Sequence, residues 1–290
     1  MTTKYFFIFT FLCGMFLTEV NAQLKPMQKA DSLFDAGDWF EASIEYERAM
    51  YRKTEGDKVN EARFRKALSY RYLHRYDDAV TELGRIPLFS VADSMKARVL
   101  YEKAFNLLLM EKYEEALWNF RRIENRYPRQ LSSSMIPLEI IILNHSRKWK
   151  EAKETFLSWV DSVTTDSAKV LLWKDSVKTL YHDDHIPKNY KEEKARNLSR
   201  FIPGAGHVYA GHPWEGAASF LLNGATAGLA IHQLWYKYYF TAYIAGFGIL
   251  YKSYFGGMER AAHLAKNARH NEMEHFNDEC SALIMRILNY

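Results

Sequence analysis

The chain has 290 residues, of which 39 are basic and 35 acidic, leaving a net charge of +4. So small a surplus, with acids and bases interleaved, offers no evident basic patch for nucleic acid, and no nucleic-acid partner is expected. Two cysteines, Cys13 and Cys280, are too few for a disulfide scaffold, so the fold must be held by packing.

The first expected element is a secretory signal over residues 1–22. Lys4 supplies a positive start, residues 5–17 are apolar but short for a bilayer, and Val20-Asn21-Ala22 ends in a small residue. An uncleaved anchor is the alternative. Phe11 and Leu12 place bulk before Cys13 where lipidation wants a small residue. Cleavage after Ala22 leaves Cys280 as the single thiol.

Residues 23–160 carry a repeat. Trp39 and Ala42, Tyr76 and Ala79, Tyr113 and Ala116, and Trp149 and Ala152 are aromatic-x-x-Ala pairs at steps of 37, 37 and 36 residues. Such a period signals stacked helical hairpins, since one hairpin cannot bury its own apolar face. Small residues precede the first three aromatics in register at Ala30, Ala67 and Ala104. Bulky apolar ones follow all four at Tyr46, Leu83, Phe120 and Phe156. Pro128 stands where a second helix should stop.

This pattern resembles the tetratricopeptide repeat family. The resemblance implies a solenoid of helical hairpins whose concave face binds a protein or peptide. The chain departs from the family at Ile140, in place of a small residue, and at Ile86, Ile123 and Trp159, in place of alanine, which predicts altered helix crossings. Lys29, Lys66 and Lys103 recur in register as either a basic ladder for an acidic tail or a solvated face.

A capping helix and charged connector are expected over residues 161–198. Helical spacing of Leu171, Leu172, Trp173, Val177 and Leu180 predicts the cap. His182, Asp183, Asp184 and His185 are metal-ligand types, but four consecutive residues cannot readily converge on one ion. His270 and His275, five apart, diverge on a helix, and no nucleophile, base or cofactor fingerprint can be assembled. No catalytic, cofactor or metal residue is assigned.

Residues 199–257 open with Pro203-Gly204-x-Gly206-His207-x-Tyr209-x-Gly211, followed by Gly216. Without Gly-Lys-Ser/Thr this is not a phosphate loop. Two apolar stretches follow, 216–235 and 238–257, each near the ~20 residues that span a hydrocarbon core. Gly224 with Gly228, and Ala242 with Gly246, place small residues one turn apart for close helix packing. Trp235, Tyr236, Tyr238 and Tyr239 cluster between the stretches as an interfacial belt. The run resembles a small bacterial membrane domain with a Pro-Gly-x-Gly-Gln/His-x-Tyr-x-Gly signature before a two-helix hairpin, which implies an envelope location. A separate amphipathic helix is expected over 258–290.

The chain is therefore expected to be all-α: tetratricopeptide-like repeats, then a glycine-rich membrane hairpin and a C-terminal helix. The expected role is a non-enzymatic scaffold of the cell envelope, with periplasmic repeats tethered at the inner membrane. The alternative is a soluble periplasmic assembly factor whose hairpin is an oligomer interface.

Overall fold

The computed structural model describes residues 26–52 and 56–289. The signal reading over residues 1–22, with Cys13, lies outside the described residues. Among the described residues the chain is all helix, without a strand. It divides into two compact units, the first ending at Ser146 and the second beginning at Arg147.

The first unit contains α1 (Pro26–Asp35), α2 (Trp39–Tyr51), α3 (Gly56–Tyr72), α4 (Tyr76–Gly84), α5 (Asp93–Leu109), α6 (Tyr113–Arg126) and α7 (Ile136–His145). Each packs on the next in the chain, and α3 also touches α5. The sixth helix illustrates the local logic. Ala116, Leu117, Phe120 and Ile123 form its buried stripe, with Glu114 and Glu115 in its first turn and Arg126 in its last, which complements the helix dipole. It ends two residues before Pro128, because the residue preceding a proline is pushed out of helical geometry.

One chain reversal recurs. Gly37, His74, Glu111 and Arg147 have φ of 84°, 58°, 59° and 58°, each two residues before a repeat aromatic. In the first three, the left-handed residue donates to a carbonyl three back and its successor to one five back, as in Asp38 N to Leu33 O at 2.9 Å. This is the Schellman arrangement, which satisfies the last carbonyls of the preceding helix. An L side chain in this region costs roughly 1–2 kcal/mol, partly offset by the lower unfolded-state entropy of a non-glycine residue. Gly37→Ala is therefore expected to destabilise by about 1 kcal/mol, and Glu111→Gly to stabilise by about 0.5 kcal/mol, as shifts in urea midpoint at constant slope.

The second unit contains α8 (Trp149–Val163), α9 (Ser167–Leu180), α10 (Glu192–Phe201), α11 (Ala205–Tyr209) and α12 (Pro213–Trp235). A turn at Tyr239–Thr241 and a π-helical segment, Ala242–Phe247, lead into α13 (Gly248–Leu288). Asp166 caps α9 by accepting from the Ala168 amide at 3.0 Å. Trp149, Tyr181 and Phe276 pack edge to face, with Trp149 and Phe276 centroids 5.0 Å apart. Cys280 is buried beside them, its sulfur 4.0 Å from the Tyr181 hydroxyl. Both α8 and α9 contact α13, so the expected cap lies on the helix bearing the fourth repeat motif.

Two expected boundaries differ. The hairpin's second helix and the tail, expected to part at residue 257, form one 41-residue helix, α13. Gly256 and Gly257 do not break it because α13 is held along its length by α12, α11, α10, α9 and α8 in turn. The charged connector is also ordered at its end: α10 packs on α13 through Ala195, Ala261, Leu264 and Ala265, with Arg196 bidentate to Glu259 at 2.9 and 3.0 Å.

Candidate functional site

The repeat residues occupy two kinds of place. Trp39, Tyr76, Tyr113 and Trp149 are each the first residue of a helix, half-buried. Trp39 stacks on Tyr72 at 4.9 Å and Tyr113 on His145 at 4.8 Å, so the aromatic closes onto the last turn of the following hairpin's first helix. Burial pushes the His145 pKa down, with Glu111 working the other way, which favours a neutral ring in that stack. Ala30, Ala67, Ala104, Ala42, Ala79, Ala116 and Ala152 are buried, as are Tyr46, Leu83, Phe120 and Phe156. Ile86, Ile123, Ile140 and Trp159, where the sequence departs from the family pattern, are buried too.

The lysine register is not the open ladder that sequence alone left as an option. Lys29 Nζ donates to Glu45 Oε1 at 2.8 Å, and Arg48 Nη1 donates to the same oxygen at 2.6 Å. One repeat on, Lys66 Nζ donates to Glu82 Oε1 at 3.0 Å and to Glu47 Oε2 at 2.7 Å, while Arg85 Nη1 donates to Glu82 at 2.7 Å. The Lys29 hydrogen bond is the largest influence on Glu45 and lowers its pKa. Burial opposes the Lys66 charge, but the bonds to Glu47 and Glu82 outweigh it and raise its pKa. Nothing local in the sequence marks Glu45, Glu47, Glu82 and Arg48 as partners, and Arg85 reads there only as part of a basic surface, although Lys, Glu and Arg recur at the same 37-residue step.

In the third repeat the equivalent positions are Lys103, Asn119 and Arg122. Asn119 donates its amide to the Glu115 carbonyl at 2.9 Å, and the Arg122 guanidinium lies 4.7 Å from the Trp118 ring centre. Lys103 makes no ion pair or hydrogen bond among the described residues. Burial, then the charge of Arg122, pushes its pKa down, the reverse of Lys66.

The glycine motif of the second unit is a packing device. Pro203 follows an extended Ile202 (φ −129°, ψ 108°), and Gly204 caps α11 with φ 92°. A Cβ on Gly204 would overlap the Gly216 backbone, and one on Gly206 would overlap the Ala195 carbonyl. The Gly206 amide donates to Ser199 Oγ at 3.1 Å, while Tyr209 Oη accepts from the Lys191 amide at 3.1 Å. His207 is buried, which lowers its pKa, and its Nδ1 has no partner among the described residues. Gly211 (φ 86°) ends α11 with the same reversal found between the repeats, and Lys237 (φ 61°) ends α12 likewise.

The hairpin proper is apolar on its outside. Phe220, Leu221, Leu222, Leu229 and Ile231 on α12 are exposed, as are Phe240, Tyr243, Ile244, Ile249 and Tyr251 across from them. Three of its polar residues turn inward: Asn223 Oδ1 accepts from Ser253 Oγ at 3.0 Å, and the buried Thr226 donates to the Leu222 carbonyl at 2.9 Å, whereas His232 and Lys252 are exposed. The close helix contact falls where a Cβ on Gly246 would meet Ala230, beside buried Ala242. It does not fall at Gly224 and Gly228, which face open space, because the buried face of α12 is the one that carries Asn223, Thr226 and Ala230. No helix among the described residues is long and apolar enough to cross a membrane. At 23 residues α12 has sufficient length, so average hydropathy is what falls short, and Asn223, His232 and Gln233 lower it.

His182 pairs with Asp184 at 3.4 Å and His270 with Glu274 at 3.2 Å, all exposed. Among the described residues no group of three or more His, Cys, Asp or Glu side chains is placed to hold a metal ion. No protein-family model, curated protein or solved structure matches the chain.

Proposed function

We propose that this chain is a non-enzymatic adaptor of the cell envelope. Its first unit captures a protein or peptide and its second unit seats in a bilayer through the hairpin of α12 and the start of α13. The observation that carries the reading is the inside-out hairpin, with Asn223, Thr226 and Ser253 bonded within it and bulky apolar side chains outward. In lipid that distribution is favourable, because intramembrane polar groups must find partners inside the bundle. Trp214 and Trp235, both exposed, lie 21 residues apart on α12. At 1.5 Å per residue they are about 32 Å apart, close to the thickness of a hydrocarbon core with aromatic anchors at its two faces. The leader read at residues 1–22 supports export, and the in-register hairpins of the first unit support a solenoid-type binding scaffold.

Flotation of the full chain with phosphatidylglycerol–phosphatidylethanolamine vesicles tests the seating. Wild type should float, and Leu221→Asp with Ile231→Asp should weaken partitioning by about 30-fold or more, since a charge in the core costs on the order of 2–3 kcal/mol. Both positions are exposed, so the fold should survive the change. Equal flotation of the variant would overturn the reading.

A second reading, the soluble assembly factor, draws on the outward Gly224 and Gly228, one turn apart and open to approach by another copy. Release of the protein by alkaline carbonate, as a defined oligomer, would favour it.

A further inference from the structure

The three in-register triads of the first unit differ in one respect that matters chemically. Lys29 and Arg48 close on Glu45, and Lys66 and Arg85 close on Glu82, which Arg63 also approaches at 3.7 Å. Lys103 and Arg122 keep both cations, but Asn119 replaces the acid. Lys66 also has a second acid, Glu47, on the preceding hairpin. The residue in that register for Lys103 is Gly84, and a Cβ built there finds Lys103 Nζ as its nearest neighbour, at 3.8 Å. Lys103 therefore lies in the cradle that Lys66 occupies, with both carboxylate positions emptied. Asn119 turns its amide to its own helix, and exposed Trp118 stands beside Arg122.

We propose that the Lys103–Arg122 cradle is the specificity site of the first unit, and that it receives a glutamate or aspartate side chain of an acidic peptide partner. Lys103 would bond the carboxylate in the place of Glu82 and Glu47, Arg122 would close on it in the place of Arg85, and Trp118 would cover the peptide stem. A half-buried ammonium beside a guanidinium, with no acid to compensate them, favours an incoming carboxylate over water. The lowered pKa of Lys103 agrees with this geometry, and a bound carboxylate would restore it. The proposal rests on the adaptor reading of this unit and names its ligand chemistry.

The decisive variant is Asn119→Glu, which rebuilds the internal triad. Binding of a fluorescein-labelled, end-capped hexaglutamate to the full chain in detergent is measured by anisotropy, with hexaglutamine as the neutral control. Wild type should prefer hexaglutamate. Asn119→Glu should weaken it about tenfold while raising the thermal midpoint by about 3 °C, and Lys103→Met should weaken it similarly. Unchanged affinity in Asn119→Glu, equal binding of hexaglutamine, or displacement by inorganic phosphate well below the concentration of acetate required would each overturn the assignment. A protein ligand held equally by wild type and Asn119→Glu would leave the adaptor reading standing without this site. Loss of hexaglutamate binding in the variant, with no protein ligand retained by either, would leave the site standing without the adaptor.

Discussion

Gly206→Ala should destabilise the second unit by about 3 kcal/mol or more, whereas Gly224→Ala, in the same unit, should stabilise it by about 0.5 kcal/mol. The added methyl at residue 206 falls inside the Ala195 carbonyl of α10, with Ser199 Oγ also too near. The carbonyl is backbone and cannot swing away, and the Ser199 hydroxyl could rotate off only by giving up its bond from the Gly206 amide. α10 would have to back off from α11, breaking the Gly206–Ser199 bond and loosening Ala195 from Ala261 and Leu264. Overpacking costs of this kind are typically about 1–3 kcal/mol and rise when backbone must move. At residue 224 a methyl meets open space in mid-helix, where alanine is preferred to glycine by about 0.5–1 kcal/mol. Urea unfolding of both variants reads the sign directly. Hydrogen exchange should place the Gly206→Ala loss in α10 and α11, and a midpoint within experimental error of wild type would refute the packing account.

Phe120→Ala should cost the first unit about 3–5 kcal/mol, the range for removing an aromatic ring from a closed core. Phe120 is fully buried, and α6 is clasped between α5 and α7. Little around it can collapse into the gap. Trp118, two residues away on the same helix, is 61% exposed, and Trp118→Ala should change stability by less than about 0.5 kcal/mol. If the cradle proposal holds, that second variant should instead weaken hexaglutamate binding, separating a structural aromatic from a recognition aromatic on one helix.

The small and large core positions of the first unit were legible because stacked hairpins impose a strict volume pattern. Ala79 and Leu83 cannot exchange roles, so periodicity alone exposes them. The reversals were harder to see. His74, Glu111 and Arg147 adopt left-handed geometry without the glycine that marks it in a sequence, and only Gly37 carries the usual sign. The acid–base triads were present in the register but hidden by reading the lysines alone. Their partners lie 16 residues on, across a turn, where no local rule points. In the second unit, glycine at 204, 206 and 211 suggests tight turns or close approach; Gly204 and Gly206 meet neighbouring backbone, while Gly211 faces open space and turns the chain at φ 86°. Which glycine of the hairpin meets its neighbour depends on which face of α12 is buried, and small-residue spacing alone does not tell the Ala230 face from the one carrying Gly224 and Gly228.

Cys280 carries a final consequence. Its thiol is enclosed by Tyr181 on one side and by α13's own packing on the other. A buried thiol reacts with maleimide or disulfide reagents only during the moments when its surroundings open. With no other cysteine among the described residues, the labelling rate of Cys280 is a clock on the detachment of α13 from α8 and α9. The chain thus contains a native kinetic reporter of its own local opening, readable by mass without any added probe site.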